Sequence, residues 1–141
     1  MVFGVFDGIH EGHRAMLKEA KRHGDFLVAV VAQDHIVERL KGHLPRIDLT
    51  ERFEHLQKED GVDRVVIGDA ELGIWGVIQR HQPDVVALGY DQAALKVDLE
   101  GHLKNSRLQP ELIILKSFEP NKYKSSYAER SQEDSRPRGE D

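Results

Sequence analysis

The segment FGVFDGIHEGH, residues 3–13, decides the fold of this chain. It starts as an apolar strand, passes through a glycine-containing turn and leads into an amphipathic helix predicted over about residues 13–23. A turn that brings a strand to a helix N-terminus leaves the first backbone N–H groups without partners, and the helix dipole adds positive potential there. The segment therefore predicts an anion site, with phosphate as the expected guest and His10 and His13 as imidazole donors beside it.

Apolar runs of strand length alternate with helical patterns along the rest of the chain, and this alternation is typical of a parallel sheet with crossover helices. We predict an α/β fold with a Rossmann-like, doubly wound, five-stranded parallel sheet and helices on both faces. The expected strands are Val2–Phe6, Phe26–Ala32, Asp63–Gly68, Asp84–Gly89 and Glu111–Leu115, and the expected helices cover about 13–23, 34–41, 50–59, 71–81 and 94–106, with Thr50 as an N-cap.

Ligands of such sheets bind at the carboxyl ends of the strands, so polar residues that follow a strand are candidate contacts. The string Gly89-Tyr90-Asp91 follows the fourth predicted strand. Gly89 would let the backbone approach a ligand closely, Tyr90 offers a stacking face and Asp91 could accept hydrogen bonds from a ribose or an amino group. An ordinary strand-end turn is the alternative interpretation of these residues.

The chain has 141 residues, enough for one domain with its own core, and a net charge of −5. Residues 1–130 are expected to form that domain, because residues 131–141 are polar and lack periodicity, which predicts a disordered tail. The negative charge argues against broad nucleic-acid binding, which requires a basic face. The positive charge that a phosphate needs must therefore be local.

The chain contains no cysteine, which excludes disulfides and thiol catalysis. We expect a cytoplasmic protein without a membrane partner, because the sequence shows neither a run of apolar residues long enough to span a bilayer nor a leader pattern. A zinc site at the two histidines is not expected, since no cysteine and no third ligand at motif spacing accompany them. A dinucleotide-dependent oxidoreductase and a Walker-type phosphate-hydrolysing enzyme both lack their glycine-rich signatures.

The opening segment resembles the signature G-T-F-D-x-x-H-x-G-H of the HxGH nucleotidyltransferase superfamily, whose members include the cytidylyltransferase-like proteins. Matching positions are Gly4, Phe6, Asp7, His10, Gly12 and His13, and Val5 stands where the family usually has threonine. The resemblance implies a HUP-type nucleotidyltransferase fold. It also implies that His10 and His13 stabilise the transition state at the nucleotide α-phosphate, and that Val5, Phe6, Asp7 and Gly12 contribute to nucleotide binding. The family normally carries several residues before this strand.

The string Leu88-Gly89-Tyr90-Asp91-Gln92, together with segments around Gln33 and Lys41, is similar to the small stand-alone FAD synthases, which adenylylate FMN with ATP. In the wider superfamily the G-x-D positions after the fourth strand bind the nucleoside, which implies that role for Gly89 and Asp91, with Tyr90 between them as a further candidate nucleotide contact. Lys41 matches a family lysine that contacts phosphate, and a mobile clamp is the role it implies, although a lone surface lysine is usually a solvated side chain. Arg52 matches a family arginine, but a surface salt bridge with Glu51 and Glu54 is an alternative account.

Near the C-terminus the superfamily carries an I-S-S/T-T-x-I/L-R segment that holds nucleotide phosphates. Ser125, Ser126 and Arg130 match it, whereas Lys124 and Tyr127 depart from it and the apolar helix that normally follows is absent. These departures leave open a non-catalytic nucleotide-binding module.

The first expectation is nevertheless an enzyme that transfers a nucleotide monophosphate from ATP or CTP to a phosphorylated small molecule and releases pyrophosphate. FMN adenylylation is the first choice, and cytidylyl transfer to glycerol-3-phosphate or a similar acceptor is the alternative. The resemblance implies Mg²⁺ that arrives with the nucleotide, without a protein metal site, because magnesium keeps a stiff shell of water and phosphate oxygens. A homodimer is expected, since related enzymes commonly form one.

Overall fold

The computed structural model describes residues 1–116, which form one α/β layered unit. Its elements in chain order are β1 (Val2–Gly4), α1 (Glu11–Lys21), β2 (Val28–Val31), α2 (Asp34–Lys41), α3 (Leu49–Gln57), β3 (Arg64–Ile67), α4 (Gly76–His81), β4 (Val85–Gly89), α5 (Ala93–Leu103) and β5 (Glu111–Leu115). Apart from α4, the ends of these elements differ from the predicted ones by three residues or fewer.

The strands lie in the order β3-β2-β1-β4-β5 and pair in parallel throughout. The chain thus extends the sheet outward from β1 through β2 and β3, then crosses back to place β4 and β5 on the other side. This reversal beside β1 is a switch point, outside which the ligands of open α/β sheets bind. The predicted doubly wound parallel sheet is confirmed.

Apolar side chains cover both faces of the sheet, because successive residues of a strand point to opposite sides. On one face, Met16 and Leu17 of α1 and Leu56 of α3 pack in a buried cluster. On the other face, Ile78 of α4 and Leu99 of α5 do the same. Complete burial of such a side chain stabilises the fold by roughly 1.5–3 kcal/mol. The two clusters pack helices against both faces of the sheet, and this packing fixes the positions of the loops at its carboxyl edge.

The N-cap of α3 differs from the prediction. Asp48, rather than Thr50, caps this helix, and its side chain accepts a hydrogen bond of 3.0 Å from the backbone N–H of Glu51. Aspartate and threonine both favour N-caps. Because α3 begins at Leu49, Asp48 precedes the first helical residue and its side chain can reach the free backbone N–H of Glu51. The prediction of Thr50 as the cap was therefore wrong.

The predicted helix over 71–81 is also shorter than expected, because α4 begins only at Gly76. Gly73 has a φ of 84° and Trp75 has a φ of 52°, and both values are left-handed. A right-handed helix cannot contain either conformation. Residues 69–75 instead form an irregular stretch at the carboxyl edge of the sheet, called the 69–75 segment below.

No helix within residues 1–116 combines the length and the apolar character that a membrane crossing requires.

Candidate active site

The turn after β1 is held in an unusual backbone conformation. Phe6 has a left-handed φ of 55°, so the strand ends at Gly4 and not at Phe6 as predicted. The Phe6 ring is buried and folds back onto Gly4, where an added Cβ would lie 2.9 Å from two ring atoms. Only glycine fits beneath this ring. Strain of this kind persists where the surrounding structure enforces it, and here it aims the chain toward the start of α1.

The two motif histidines form a reciprocal capping box at the start of α1. Nδ1 of His10 accepts a hydrogen bond of 3.0 Å from the backbone N–H of Gly12, and Nδ1 of His13 accepts one of 3.3 Å from the backbone N–H of His10. An imidazole nitrogen that accepts carries no proton, so each ring holds its proton on Nε2. The ring centroids are 4.0 Å apart. Capping therefore orients two neighbouring Nε2–H donors.

His13 is almost completely buried, with 3% of its surface exposed. Burial lowers the pKa of His13 to about 3, and the neighbouring His10, Arg14 and Lys41 act in the same direction. This imidazole is consequently neutral at neutral pH. It can donate one hydrogen bond through Nε2 without bringing a charge into the site.

A cavity of about 350 Å³ opens at the carboxyl edge of the sheet beside these elements. Its size falls in the range of small-molecule sites. The predicted site residues that line it are Val5, Phe6, His13, Lys41, Gly89 and Asp91. The switch point has thus brought the β1–α1 turn, the end of α2 and the end of β4 around one space.

Lys41, the last residue of α2, supplies a cation to this space. Partial burial lowers the pKa of Lys41, while the negative charges of Asp91 and Asp7 oppose that shift. The ammonium group therefore lies within electrostatic reach of the motif turn and of the β4 end together. A phosphate contact by Lys41 stays a prediction.

Other predicted site residues lie around the cavity without lining it. His10, Asp7, Gly12 and Tyr90 belong to this group among residues 1–116. Ser125, Ser126 and Arg130, and the expected tail at 131–141, lie outside the described residues.

Sequence comparison agrees with this geometry, since the profile of the cytidylyltransferase-like family matches residues 1–130. The chain belongs to the cytidylyltransferase-like family. It is 42% identical over 131 residues to the FAD synthase of Pyrococcus horikoshii, an alignment that covers 93% of this chain and 86% of the relative. It is 40% identical over 128 residues to the FAD synthase of Thermococcus sibiricus, covering 91% and 84% respectively.

Among solved structures, the crystal structure of the lipopolysaccharide core biosynthesis protein from Thermoplasma volcanium is similar, with a TM-score of 0.76 and 31% identity. The superposition covers 84% of this chain and 96% of that protein. Family membership and these relatives make this cytidylyltransferase-like chain a nucleotidyltransferase. The fold and the enzyme class that the sequence predicts are both confirmed.

Within this nucleotidyltransferase, Asp7 of the motif has a bonding pattern that the sequence did not reveal. Its two carboxylate oxygens accept the backbone N–H groups of Arg46 and Ile47 at 2.8 and 2.9 Å. Its backbone carbonyl accepts a further bond of 3.0 Å from the Arg46 guanidinium. Asp7 therefore ties the loop between α2 and α3 to the β1–α1 turn.

Replacing Asp7 by asparagine should loosen this loop, because the amide NH₂ then faces a backbone N–H. One N–H group left unsatisfied costs about 1–3 kcal/mol, and we expect the free energy of unfolding to fall by that amount. Urea unfolding measures the loss, and trypsin should cleave after Arg46 faster than in the parent. Asp60→Asn, on an exposed turn, is the matched control. Equal trypsin rates for Asp7→Asn and the control would show that Asp7 does not hold the loop.

Arg52 lies beneath the cavity and not on the surface, since its side chain is fully buried. It donates to the carbonyl of Ile47 at 2.8 Å, to the carbonyl of Val5 at 2.8 Å and to Oδ1 of Asp34 at 2.5 Å. The alternative of a surface salt bridge with the glutamates of α3 is therefore wrong. Arg52 also does not line the cavity, so its position is that of a support under the β1–α1 turn.

The residues after β4 are organised by Gln92. Its side chain accepts a 2.7 Å bond from the backbone N–H of Gly89 and donates a 3.0 Å bond to the carbonyl of Phe3. One amide thus connects the ends of β4 and β1, the two strands at the switch point. Oδ1 of Asp91 would lie 3.0 Å from a Cβ on Gly89, so the absence of a side chain there leaves room for this carboxylate.

The 69–75 segment forms a wall of the cavity that sequence reasoning missed. Asp69, Leu72 and Trp75 line the space, and Oδ2 of Asp69 accepts the backbone N–H of Val77 at 3.4 Å at the start of α4. Gly73 and Trp75, the only tryptophan of the chain, could have indicated an irregular segment that contributes to a site. The helical pattern over 71–81 concealed that indication.

Within residues 1–116, no group of three or more His, Asp or Glu side chains is arranged to hold a metal ion.

Proposed function

We propose that this nucleotidyltransferase transfers the AMP group of ATP to FMN, producing FAD and pyrophosphate. The observation that carries the proposal is that the β1–α1 turn, with the two imidazole rings of His10 and His13, and Lys41 lie beside a cavity whose inner walls are largely apolar. The relatives named FAD synthase support it independently.

The reaction needs no protein nucleophile. A phosphate oxygen of FMN attacks the α-phosphorus of ATP, and the bond from that phosphorus to the oxygen bridging to the β-phosphate breaks. Pyrophosphate leaves with the bonding electrons. The protein must therefore hold the two phosphates in line and stabilise the charge that moves onto the leaving group.

The proposed roles follow the positions of the residues. His10 and His13 donate through Nε2 to the α-phosphate, and Lys41 neutralises the leaving pyrophosphate. Val5, Phe6 and Gly12 shape the turn around the phosphates, and Gly89, Tyr90 and Asp91 hold the nucleoside. Mg²⁺ arrives with ATP, bound by phosphate oxygens and water. Ser125, Ser126 and Arg130 remain predicted phosphate contacts.

FMN suits the cavity better than glycerol-3-phosphate does. Side chains of Leu40, Leu72, Trp75 and Leu95 give the space walls of aliphatic and aromatic carbon. A flavin ring system gains free energy by leaving water for such walls, whereas glycerol carries hydroxyl groups that would be buried without partners.

A pyrophosphate-release screen tests the proposal. ATP and CTP are each combined with FMN, glycerol-3-phosphate, a sugar phosphate and phosphopantetheine, and flavin products are separated by chromatography. We expect ATP with FMN to give pyrophosphate and FAD in equal amounts. Pyrophosphate release only with another acceptor would identify that acceptor, and not FMN, as the substrate. Tight nucleotide binding with no release for any pair would favour the non-catalytic module.

The expected homodimer and the expected cytoplasmic location remain predictions, which sedimentation of the purified chain and fractionation of the source cells would test.

A further inference from the structure

The side chains that line the cavity are of two kinds, called its polar side and its apolar side below. The polar side consists of His13, Lys41, Asp69, Glu71, Asp91 and Gln92. The apolar side is lined by three elements: Ile36 and Leu40 of α2, Leu72 and Trp75 of the 69–75 segment, and Ala94 and Leu95 of α5. Phosphate chemistry uses only the polar side, so the apolar side must serve another part of a substrate.

Trp75 is fixed before any ligand arrives. Its indole Nε1–H donates a 2.8 Å hydrogen bond to Oδ2 of Asp98, and its ring meets Phe3 edge-on with centroids 5.6 Å apart. The side chain is only 5% exposed and belongs to a core cluster. Asp98 therefore acts as a positioning residue, and the wall that Trp75 forms costs little to organise on binding.

Leu72 and Leu40, by contrast, remain partly in water although they line the cavity. Leu72 is 40% exposed and Leu40 is 53% exposed. They belong to elements that follow the neighbouring strands β3 and β2. A flat apolar group placed between them would remove this carbon surface from water, which is favourable.

We propose that this apolar side is the subsite for the isoalloxazine ring of FMN, and that Leu72, Trp75 and Leu40 are specificity-determining residues. The inference rests on the proposed FMN adenylylation. The dimethylbenzene part of the flavin supplies the broad apolar surface that these walls match. Adenine is smaller and would remove less of this carbon surface from water than the flavin would.

A pair of aspartate substitutions in one segment provides the test. Leu72 lines the cavity, whereas Ile74, two residues later and 48% exposed, does not. FMN is titrated by calorimetry into the full chain in the presence of α,β-methylene-ATP, and α,β-methylene-ATP is titrated alone. We expect Leu72→Asp to weaken FMN binding at least 10-fold and to change nucleotide binding less than 2-fold. Ile74→Asp should leave both within 2-fold of the parent.

Flavin emission gives a second readout, because Trp75 is the only tryptophan in the chain. Energy transfer from tryptophan to flavin acts across a whole protein of this size, but quenching of flavin emission by an indole requires contact. Bound FMN should therefore be dimmer in the parent than in Trp75→Leu. The exposed Leu72→Asp variant keeps the test valid if Trp75→Leu does not fold.

The outcomes separate this inference from the proposed function. A parent that forms FAD, with a Leu72→Asp variant that binds FMN as the parent does, overturns the flavin subsite and leaves the function intact. Loss of nucleotide binding in Leu72→Asp, with FMN binding unchanged, assigns the apolar side to adenine and also overturns it. If the parent protein forms no FAD, the proposed function itself is wrong.

Discussion

Replacing His13 by asparagine is expected to lower kcat for nucleotidyl transfer about 100-fold or more, as the loss of a preorganised transition-state donor does. The asparagine oxygen can still accept the backbone N–H of His10, so the start of α1 should stay capped. Only the Nε2–H donor disappears. Steady-state rates of pyrophosphate release measure the effect, and circular dichroism checks that the helix content is kept.

His13→Gln provides the complementary variant, because its side-chain nitrogen can reach the region of Nε2. We expect it to retain more activity than His13→Asn. His23→Ala, on an exposed residue just beyond the end of α1, should behave as the parent. Parental turnover in His13→Asn would end the assignment of His13 as a catalytic donor.

Replacing Arg52 by methionine is expected to lower the free energy of unfolding by about 2–5 kcal/mol, because two backbone carbonyls lose a hydrogen bond from a fully buried donor. Methionine keeps much of the length but supplies no donor. The carbonyls of Val5 and Ile47 then remain without the bonds that Arg52 gives them. Urea unfolding followed by Trp75 fluorescence measures the change.

Two further variants interpret that result. Arg52→Lys should also be destabilised, since one ammonium group cannot reproduce a planar fork directed at three acceptors. Glu54→Met, on the exposed side of the same helix, should stay within about 0.5 kcal/mol of the parent. A loss below about 1 kcal/mol in Arg52→Met would mean that the hydrogen bonds of the buried guanidinium contribute little to stability.

The fold could be predicted from the sequence to a large extent because its signals are local. Strand-length apolar runs, such as Glu111–Leu115, and the turn at residues 3–13 depend on near neighbours along the chain. Local patterns also misled where the same residues fitted two backbone conformations equally well on the basis of their near neighbours. The 71–81 region has helical spacing, but the left-handed Trp75 is stabilised by Asp98, which lies 23 residues away.

The candidate site shows the same division. The sequence predicted His13 and Lys41 near a phosphate, and the structure brings both to one cavity. It could not predict that Asp7 would hold the backbone of Arg46, 39 residues away. Nor could it predict that Arg52 would be buried, because a charged residue between two glutamates on a helix normally faces water.

The sequence by itself determined the alternation of strands and helices, the turn between β1 and α1 and the enzyme family, since each of these depends on residue types at short, fixed spacings. Only the tertiary structure decided which ring nitrogen carries the proton in His10 and His13. It also decided how Asp7 and Arg52 are hydrogen-bonded, and that Leu72 and Trp75 line the cavity. The physical reason is that hydrogen-bond partners and burial are set by which distant segments pack together, and spacing along the chain carries little information about that.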